Sequence, residues 1–199
     1  MTAMMAPDKL STALFSDYAS RLQDLLGRTD WSGVAQLSHA MRECWVHRRQ
    51  VFFCGNGGSA GNASHLANDY LHGIAKRTGG GMRVSSLSAN AAVLTSLAND
   101  LGYDSIYSEQ LAVQAQAGDL LVVLSGSGNS PNILKVLEQA KAMNVKTCAV
   151  LGYSGGKAKA MVDLPIHFAI DDMQIAEDMQ LILGHMVMQW LCEHPLEAK

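Results

Sequence analysis

The sequence predicts an α/β fold, in which a doubly wound parallel sheet of about five strands is flanked by helices. Three observations support this: short apolar runs alternate with helical segments, two of the runs end in glycine-rich turns, and the N-terminal part has only helical periodicity. Alternating strands and helices imply parallel strands, and right-handed crossovers place helices on both faces. We expect a single domain over residues 1–199, with N-terminal helices in residues 1–48 and an α/β core in residues 49–199.

The N-terminal part is predicted to be a pair of helices. Apolar side chains recur at helical spacing in both segments, and Gly27 with Thr29 and Asp30 separates them. The second helix is expected to end near residues 47–49. The periodic residues are Leu10, Leu14, Tyr18, Leu22 and Leu25 in the first helix and Val34, Leu37, Met41 and Trp45 in the second.

The core is predicted from five apolar runs of strand length and three longer helical segments. The predicted strands are 51–54, 83–87 (the weakest), 120–124, 147–151 and 164–170. The predicted helices are 60–73, 131–143 and 174–192. The last helix is rich in methionine, which we interpret as core or subunit-contact packing.

Composition argues against several classes of partner. Hydrophobic residues make up 48% and charged residues 17%, as in a globular protein, and the net charge of -3 without a basic run argues against nucleic acid or an anionic membrane. No apolar run approaches the roughly 20 residues of a membrane-spanning helix, and the first residues lack a secretory pattern. We therefore expect a cytoplasmic protein with free thiols at its four cysteines.

Two turns follow predicted strands and could bind a ligand, because ligands of open parallel sheets lie beyond the carboxyl ends of the strands. Residues 55–59 are rich in glycine, and Ser125, Ser127 and Ser130 surround a second turn before a helix. Exposed amides and a helix N-terminus favour a phosphate there. Neither turn matches a Walker A or dinucleotide-binding motif. The alternative is that both are ordinary strand–helix turns with helix caps.

The two turns lie in longer motifs, CGNGGSAGNASHLANDY at residues 54–70 and LSGSGNSPN at residues 124–132. Together they resemble the phosphoheptose isomerase branch of the SIS (sugar isomerase) family. The resemblance covers nearly the whole chain and implies ketose–aldose isomerisation of a heptose 7-phosphate by a homotetramer with active sites near subunit interfaces. The substrate-binding residues that it implies are Asn56, Gly57, Gly58, Ser59, Asn99, Asp100, Ser125, Gly126, Ser127, Ser130 and Glu177.

Four side chains are candidate metal ligands. His65 and Asp69 share a helix face at a spacing of four, and Glu177 and His185 on the last helix are offset by roughly 80° but could still reach one site. Two imidazoles and two carboxylates suit zinc, and we expect one ion per subunit. The family's bacterial members hold zinc with His and Glu on one helix and Gln and His on the other, so Asp69 and Glu177 depart from the pattern. His72 is a fallback ligand.

The substrate that the resemblance implies is sedoheptulose 7-phosphate. Its isomerisation through an enediol needs a base and an acid, for which Asp69 is the candidate base and His185, which can exchange a proton near neutral pH, the candidate acid. Two alternatives stay open. A non-enzymatic branch of the family serves as a tetrameric scaffold in replication initiation, but it has lost the acidic and second histidine positions that Asp69 and His185 occupy here. A sugar-phosphate sensor that binds without turnover is the other alternative.

Overall fold

The computed structural model describes residues 12–196. Its helices and strands follow in the order α1 (Ala13–Arg28), α2 (Ser32–Val46), β1 (Val51–Gly55), α3 (Gly58–Asn68), a π-helical turn (Asp69–Gly73), α4 (Ile74–Thr78), β2 (Val84–Ser86), α5 (Ala91–Leu101), a 3₁₀ turn (Tyr103–Ser105), α6 (Ser108–Gln114), β3 (Leu120–Ser125), α7 (Pro131–Ala142), β4 (Lys146–Leu151), α8 (Ala158–Met161), β5 (Leu164–His167) and α9 (Met173–Glu193). Within this range no helix is both long and apolar enough to cross a membrane.

The five strands form one sheet in the order β2-β1-β3-β4-β5, and every pairing is parallel. This confirms the predicted fold class. All residues of β1 and β3 are buried, as expected for strands covered on both faces. From β1 the chain passes to β2 on one side and later to β3 on the other, so the strand order reverses between β1 and β3. The crevice at such a switch point is where open α/β sheets bind ligands.

Both predicted N-terminal helices are present, although Leu10 lies outside the described residues. The chain divides into two compact units, Met1–Asp30 and Trp31–Lys199. Within the described range the first unit contains α1, and the second contains α2 together with the α/β core. In the second unit, α2 packs against α9 and β5. The assignment of one domain to residues 1–199 stays a prediction.

The structure differs from the predicted boundaries by three residues or more at two elements. β5 ends at His167, three residues before the predicted end, and the helix after β1 continues through the π turn to Thr78. The prediction also missed α5, α6 and the short α8. Helix α5 buries no residue fully, but its half-buried Leu94, Leu97 and Ala98 recur at helical spacing and pack against the core, so a helical period was present in the sequence.

The four cysteines are free thiols. Cys44, Cys54 and Cys148 are buried, and Cys192 is half-buried. Burial raises the pKa of the Cys44 thiol to about 11, despite the opposing charges of Arg49 and Lys146. Burial also raises the thiol pKa of Cys54 and of Cys148 far above the ordinary range. The three buried thiols therefore stay protonated and unreactive near neutral pH.

Candidate active site

A cavity of about 280 Å³ opens at the carboxyl ends of β1 and β3. Helices α3, α7 and α9 all begin at or beside its lining residues, and N-terminal helix ends favour an anionic ligand. The N-cap residues of α3 and α7 make no side-chain hydrogen bond to the first turn of their helix. The backbone N–H groups at these two helix starts are therefore not capped. The cavity is lined by Asn56, Gly57, Gly58, Ser59, Leu124, Ser125, Gly126, Ser127, Ser130, Met173 and Glu177.

The serine turn is arranged so that its hydroxyl groups can donate. Ser125 Oγ accepts a hydrogen bond from the Gly128 amide at 3.0 Å, and Ser127 Oγ accepts one from the Asn129 amide at 3.3 Å. A hydroxyl that accepts from the backbone keeps its own proton for another acceptor. Gly128 has φ +65°, and a Cβ there would lie 2.1 Å from the Gly155 carbonyl oxygen, so the turn requires glycine. The hydroxyl protons of Ser125 and Ser127 can therefore be donated to an acceptor such as a phosphate oxygen.

The glycine turn brings its backbone close to Glu177. A Cβ added at Gly58 would lie 2.2 Å from Glu177 Oε2, so the absence of a side chain leaves room for this carboxylate. Glu177 thus borders the cavity from α9 while the turn borders it from α3. Its carboxylate can accept hydrogen bonds from sugar hydroxyls, which are donors.

Three side chains with metal-binding atoms meet further along α3 and α9. His65 Nε2 and His185 Nε2 are 3.0 Å apart, and each lies 3.4 Å from Asp69 Oδ2. Two ligand atoms bonded tetrahedrally to zinc at about 2.0–2.1 Å would be separated by roughly 3.4 Å. The three ligand atoms therefore fit a tetrahedral ion, with a fourth position left for water or substrate.

The cluster and the cavity lie along the same two helices. Seven residues separate Gly58 from His65 and eight separate Glu177 from His185, which correspond to about 10 and 12 Å along the helix axes. The three ligand atoms thus lie about two turns along α3 and α9 from the cavity-lining residues Gly58 and Glu177. Both His side chains are about half exposed, at 49% and 46%, so a ligand can reach them.

Buried hydrogen bonds hold α3 and α9 in register. Gln180, which is 1% exposed, donates to Ser59 Oγ at 3.0 Å and accepts from Asn62 Nδ2 at 2.9 Å. The buried Tyr70 hydroxyl donates to the Gly184 carbonyl at 2.7 Å, next to His185. Burial, with a smaller contribution from the Asp69 charge, raises the pKa of Tyr70 far above its usual value, so this donor keeps its proton.

The structure brings most, but not all, of the predicted site residues together. Glu177 lines the cavity but is not part of the three-residue cluster, so its role as a metal ligand stays a prediction. His72 is also outside the cluster, because the π turn at Asp69–Gly73 changes the angular step on which its predicted alignment depended. Asn99 and Asp100 are exposed on α5, hydrogen-bonded to each other, and do not line the cavity.

Sequence reasoning missed several residues that support the site. Met173 and Leu124 contribute apolar surface to the cavity. Gln180 and Asn132 are each 1% exposed and bond to residues of the glycine turn. A polar residue on the buried face of a predicted helix was the available signal, since such groups are buried only with partners.

Comparisons with known proteins agree with this geometry. The family model described as SIS domain matches residues 14–152. A phosphoheptose isomerase of Helicobacter pylori is 35% identical over 156 residues, covering 78% of this chain and 81% of that protein. One from Chlorobaculum parvum is 34% identical over 179 residues, covering 86% and 83%. The structure of the phosphoheptose isomerase from Neisseria gonorrhoeae superposes with a TM-score of 0.82 at 26% identity, covering 92% of this chain and 97% of that one.

Proposed function

The chain belongs to the SIS-domain family and, within it, to the phosphoheptose isomerases, and on this premise we propose that it converts sedoheptulose 7-phosphate to D-glycero-D-manno-heptose 7-phosphate. The observation that carries the proposal is the arrangement of the site along α3 and α9. The first turns of these helices line the cavity that also contains the serine turn before α7, and a cluster of two imidazoles and a carboxylate lies about two turns further along both helices. The enzyme is an aldose–ketose isomerase.

The phosphate is assigned to the serine turn, where Ser125, Ser127 and Ser130 donate hydroxyl protons to it. Backbone amides at the start of α7 add to the attraction, since no side chain caps them. Asn56 and the glycine turn contact the sugar hydroxyls, together with Glu177. Binding energy from the phosphate positions the carbonyl end of the sugar near the cluster of His65, Asp69 and His185, where the reaction occurs. Asn99 and Asp100 are proposed to contribute to binding from α5.

The reaction moves one proton between adjacent carbons through an enediol, which requires a base beside the carbon and an acid beside the carbonyl oxygen. Asp69 is the base: its Oδ2 faces both imidazoles, and Oδ1 is the oxygen that takes the proton. His185 is the acid, because an imidazole can both donate and accept a proton near neutral pH. A metal-bound ring nitrogen has no proton to donate, so the substrate oxygens are expected to lie beside the ring nitrogen of His185 that does not hold the ion.

We assign a zinc ion to His65, Asp69 and His185, with Glu177 as a further ligand if its side chain turns towards them. The spacing of the three ligand atoms, 3.0 to 3.4 Å, supports this assignment. When bound, zinc would polarise the carbonyl oxygen of the open-chain sugar. The Asp69 side chain is one methylene shorter than the family's glutamate. The position of its carboxylate relative to the substrate carbon, between which the proton moves, is therefore specific to this chain.

The quaternary structure proposed is a homotetramer in the cytoplasm with active sites near subunit interfaces. Leu71 and Met186 are 51% and 41% exposed, and each lies within two residues of a cluster residue. Apolar side chains beside an open site support burial by a neighbouring subunit. Light scattering on the purified protein tests the proposal: a mass of four chains supports it, and a monomer contradicts it.

The function is tested by incubating the protein with sedoheptulose 7-phosphate, with and without zinc, and following the aldose by NMR. Zinc-dependent conversion is expected, and removal of the metal with a chelator should abolish it. Thermal stabilisation by the sugar phosphate without conversion would instead support a sensor or an enzyme for a different sugar. Neither binding nor conversion would leave the scaffold as the better interpretation.

A further inference from the structure

A buried polar side chain beside the cavity connects its two turns. Asn132 is the second residue of α7, and its side chain is 1% exposed. It forms a reciprocal amide pair with Asn56: Asn56 Nδ2 donates to Asn132 Oδ1 at 2.8 Å, and Asn132 Nδ2 donates to Asn56 Oδ1 at 2.8 Å. The pair joins the glycine turn after β1 to the helix that follows the serine turn after β3.

Tyr103 and Asn132 together determine which way the Asn56 amide faces. The Tyr103 hydroxyl donates to Asn56 Oδ1 at 3.1 Å, and Asn132 Nδ2 donates to the same oxygen at 2.8 Å. The Tyr107 hydroxyl lies 3.4 Å from that oxygen, but its one proton goes to the Gly55 carbonyl, to which Ser88 Oγ also donates. Two donors therefore meet at Asn56 Oδ1, so this atom is held as the acceptor and Nδ2 as the donor.

The Asn56 Nδ2 nitrogen carries two protons, as every side-chain amide does. One of them is donated to Asn132 Oδ1, which leaves the second. Asn56 lines the cavity, so the second N–H is available to a ligand oxygen there. If the Asn56 amide were free to flip, Oδ1 would take the place of Nδ2 for part of the time. The amide oxygen would then repel a ligand oxygen that carries no proton.

We infer that Asn132 is a positioning residue, which acts through Asn56 to present an N–H donor to a sugar oxygen and to hold the sugar-binding turn against the phosphate-binding turn. The inference rests on the proposed function. Asn132 is 1% exposed and is not among the cavity-lining residues given above. Its effect on a ligand therefore passes through Asn56. The pair adds a direct link between the two turns to the pairing of β1 with β3, which extends to Gly55 and Leu124.

The test is a double-mutant cycle on Asn132 and Asn56, because such cycles separate a coupled pair from two independent residues. We expect N132A and N56A each to raise KM for sedoheptulose 7-phosphate about tenfold or more with a smaller change in kcat, since the contact is made in the bound substrate as well as the transition state. The double variant N56A/N132A should be no worse than the poorer single variant. Losses that multiply would overturn the inference.

Further variants separate positioning from packing. N132D keeps the shape of the side chain but brings two oxygens together, so it should raise KM at least as much as N132A. Tyr103→Phe, at a position that is 60% exposed, should fold even where an Asn132 variant does not. It should raise KM severalfold in the wild-type background and have no effect in the N56A background. Equal effects of Tyr103→Phe in both backgrounds would contradict the inference.

Glu138, on the exposed side of the same helix, is the control position, and E138A should leave KM unchanged. A merely structural role for Asn132 would lower the melting temperature and leave KM and kcat of the folded protein as in wild type. Calorimetric Kd values for sedoheptulose 7-phosphate on the same variants give the cycle a readout without turnover. If the wild-type protein binds sedoheptulose 7-phosphate but does not convert it, the isomerase proposal is refuted and the Kd values of the double-mutant cycle decide on Asn132. If the wild-type protein neither binds nor converts it, both proposals are overturned.

Discussion

Gly184 allows α9 to lie directly against α3, and replacing it by alanine should separate the two halves of the proposed metal site. A Cβ at this position would lie 2.4 Å from Leu66 Cδ2, 2.8 Å from Cδ1 and 3.2 Å from Cγ. Leu66 is 1% exposed, so a change of its rotamer would have to be made against packed neighbours. Ordinary contact begins at 3.4 Å, so the two helices must move apart by about 1 Å if Leu66 keeps its rotamer.

This displacement acts on the His65–His185 distance, which is 3.0 Å in the wild-type protein. Passed on in full, 1 Å would widen it to roughly 4 Å, beyond the separation of about 3.4 Å that tetrahedral zinc accepts. Overpacking costs about 1–3 kcal/mol of stability, and alanine in place of a helical glycine restores about 1 kcal/mol. We therefore expect G184A to be destabilised by about 1 kcal/mol, and its zinc affinity and kcat to fall at least tenfold.

The matched control is Gly61→Ala on α3, where an added Cβ would have no heavy atom within 4 Å. This variant should gain about 0.5–1 kcal/mol, because glycine in a helix loses more backbone entropy on folding than alanine. Urea unfolding measures the stabilities, and competition with a chromophoric chelator measures zinc affinity. Wild-type metal affinity and activity in G184A would refute the argument that close approach of α3 and α9 assembles the site.

Three further predictions address the chemistry of individual side chains. His185→Ala should abolish turnover while sugar-phosphate binding, measured by calorimetry, survives; near-normal turnover would contradict its assignment as the acid. A thiol reagent at pH 8 should label Cys192 in the folded protein and the three buried cysteines only after denaturation, and rapid labelling of Cys44 would disagree with its pKa of about 11. Burial raises the Tyr107 pKa to about 12, so between pH 10 and 12 the unfolded chain loses a proton that the folded chain keeps, and stability should fall as pH rises. Tyr107→Phe should make that fall shallower in urea titrations, and an unchanged slope would count against the burial argument.

Local rules of the chain were sufficient for the fold class and for the two turns that line the cavity. Alternation of apolar runs with helices predicted the parallel sheet, since parallel strands need crossovers. The two motifs predicted the cavity because the carboxyl ends of neighbouring parallel strands lie at one edge, and β1 and β3 are neighbours. His65 and Asp69 are four residues apart on one helix, so their 3.4 Å contact also followed from a local period.

Other features of the site required the packed structure. The rise of a helix separates Glu177 from His185 by about 12 Å along α9, and only the packing of that helix shows that Glu177 faces Gly58 while His185 faces His65. His72 lies outside the cluster because of the π turn at Asp69–Gly73. No periodicity in the sequence predicted the hydrogen bonds of that turn.

The sequence by itself determined which chemical groups this protein has and which local element carries each of them, because propensity and periodicity act over a few residues. The tertiary structure brought groups that are distant in sequence together, and for His65 and His185 only the family resemblance had indicated this beforehand. His185 reaches His65 across 120 residues and Asn132 pairs with Asn56 across 76, and both contacts depend on how whole helices pack. Packing of that kind is governed by the volumes of buried side chains such as Leu66 against Gly184, which a one-dimensional pattern does not encode.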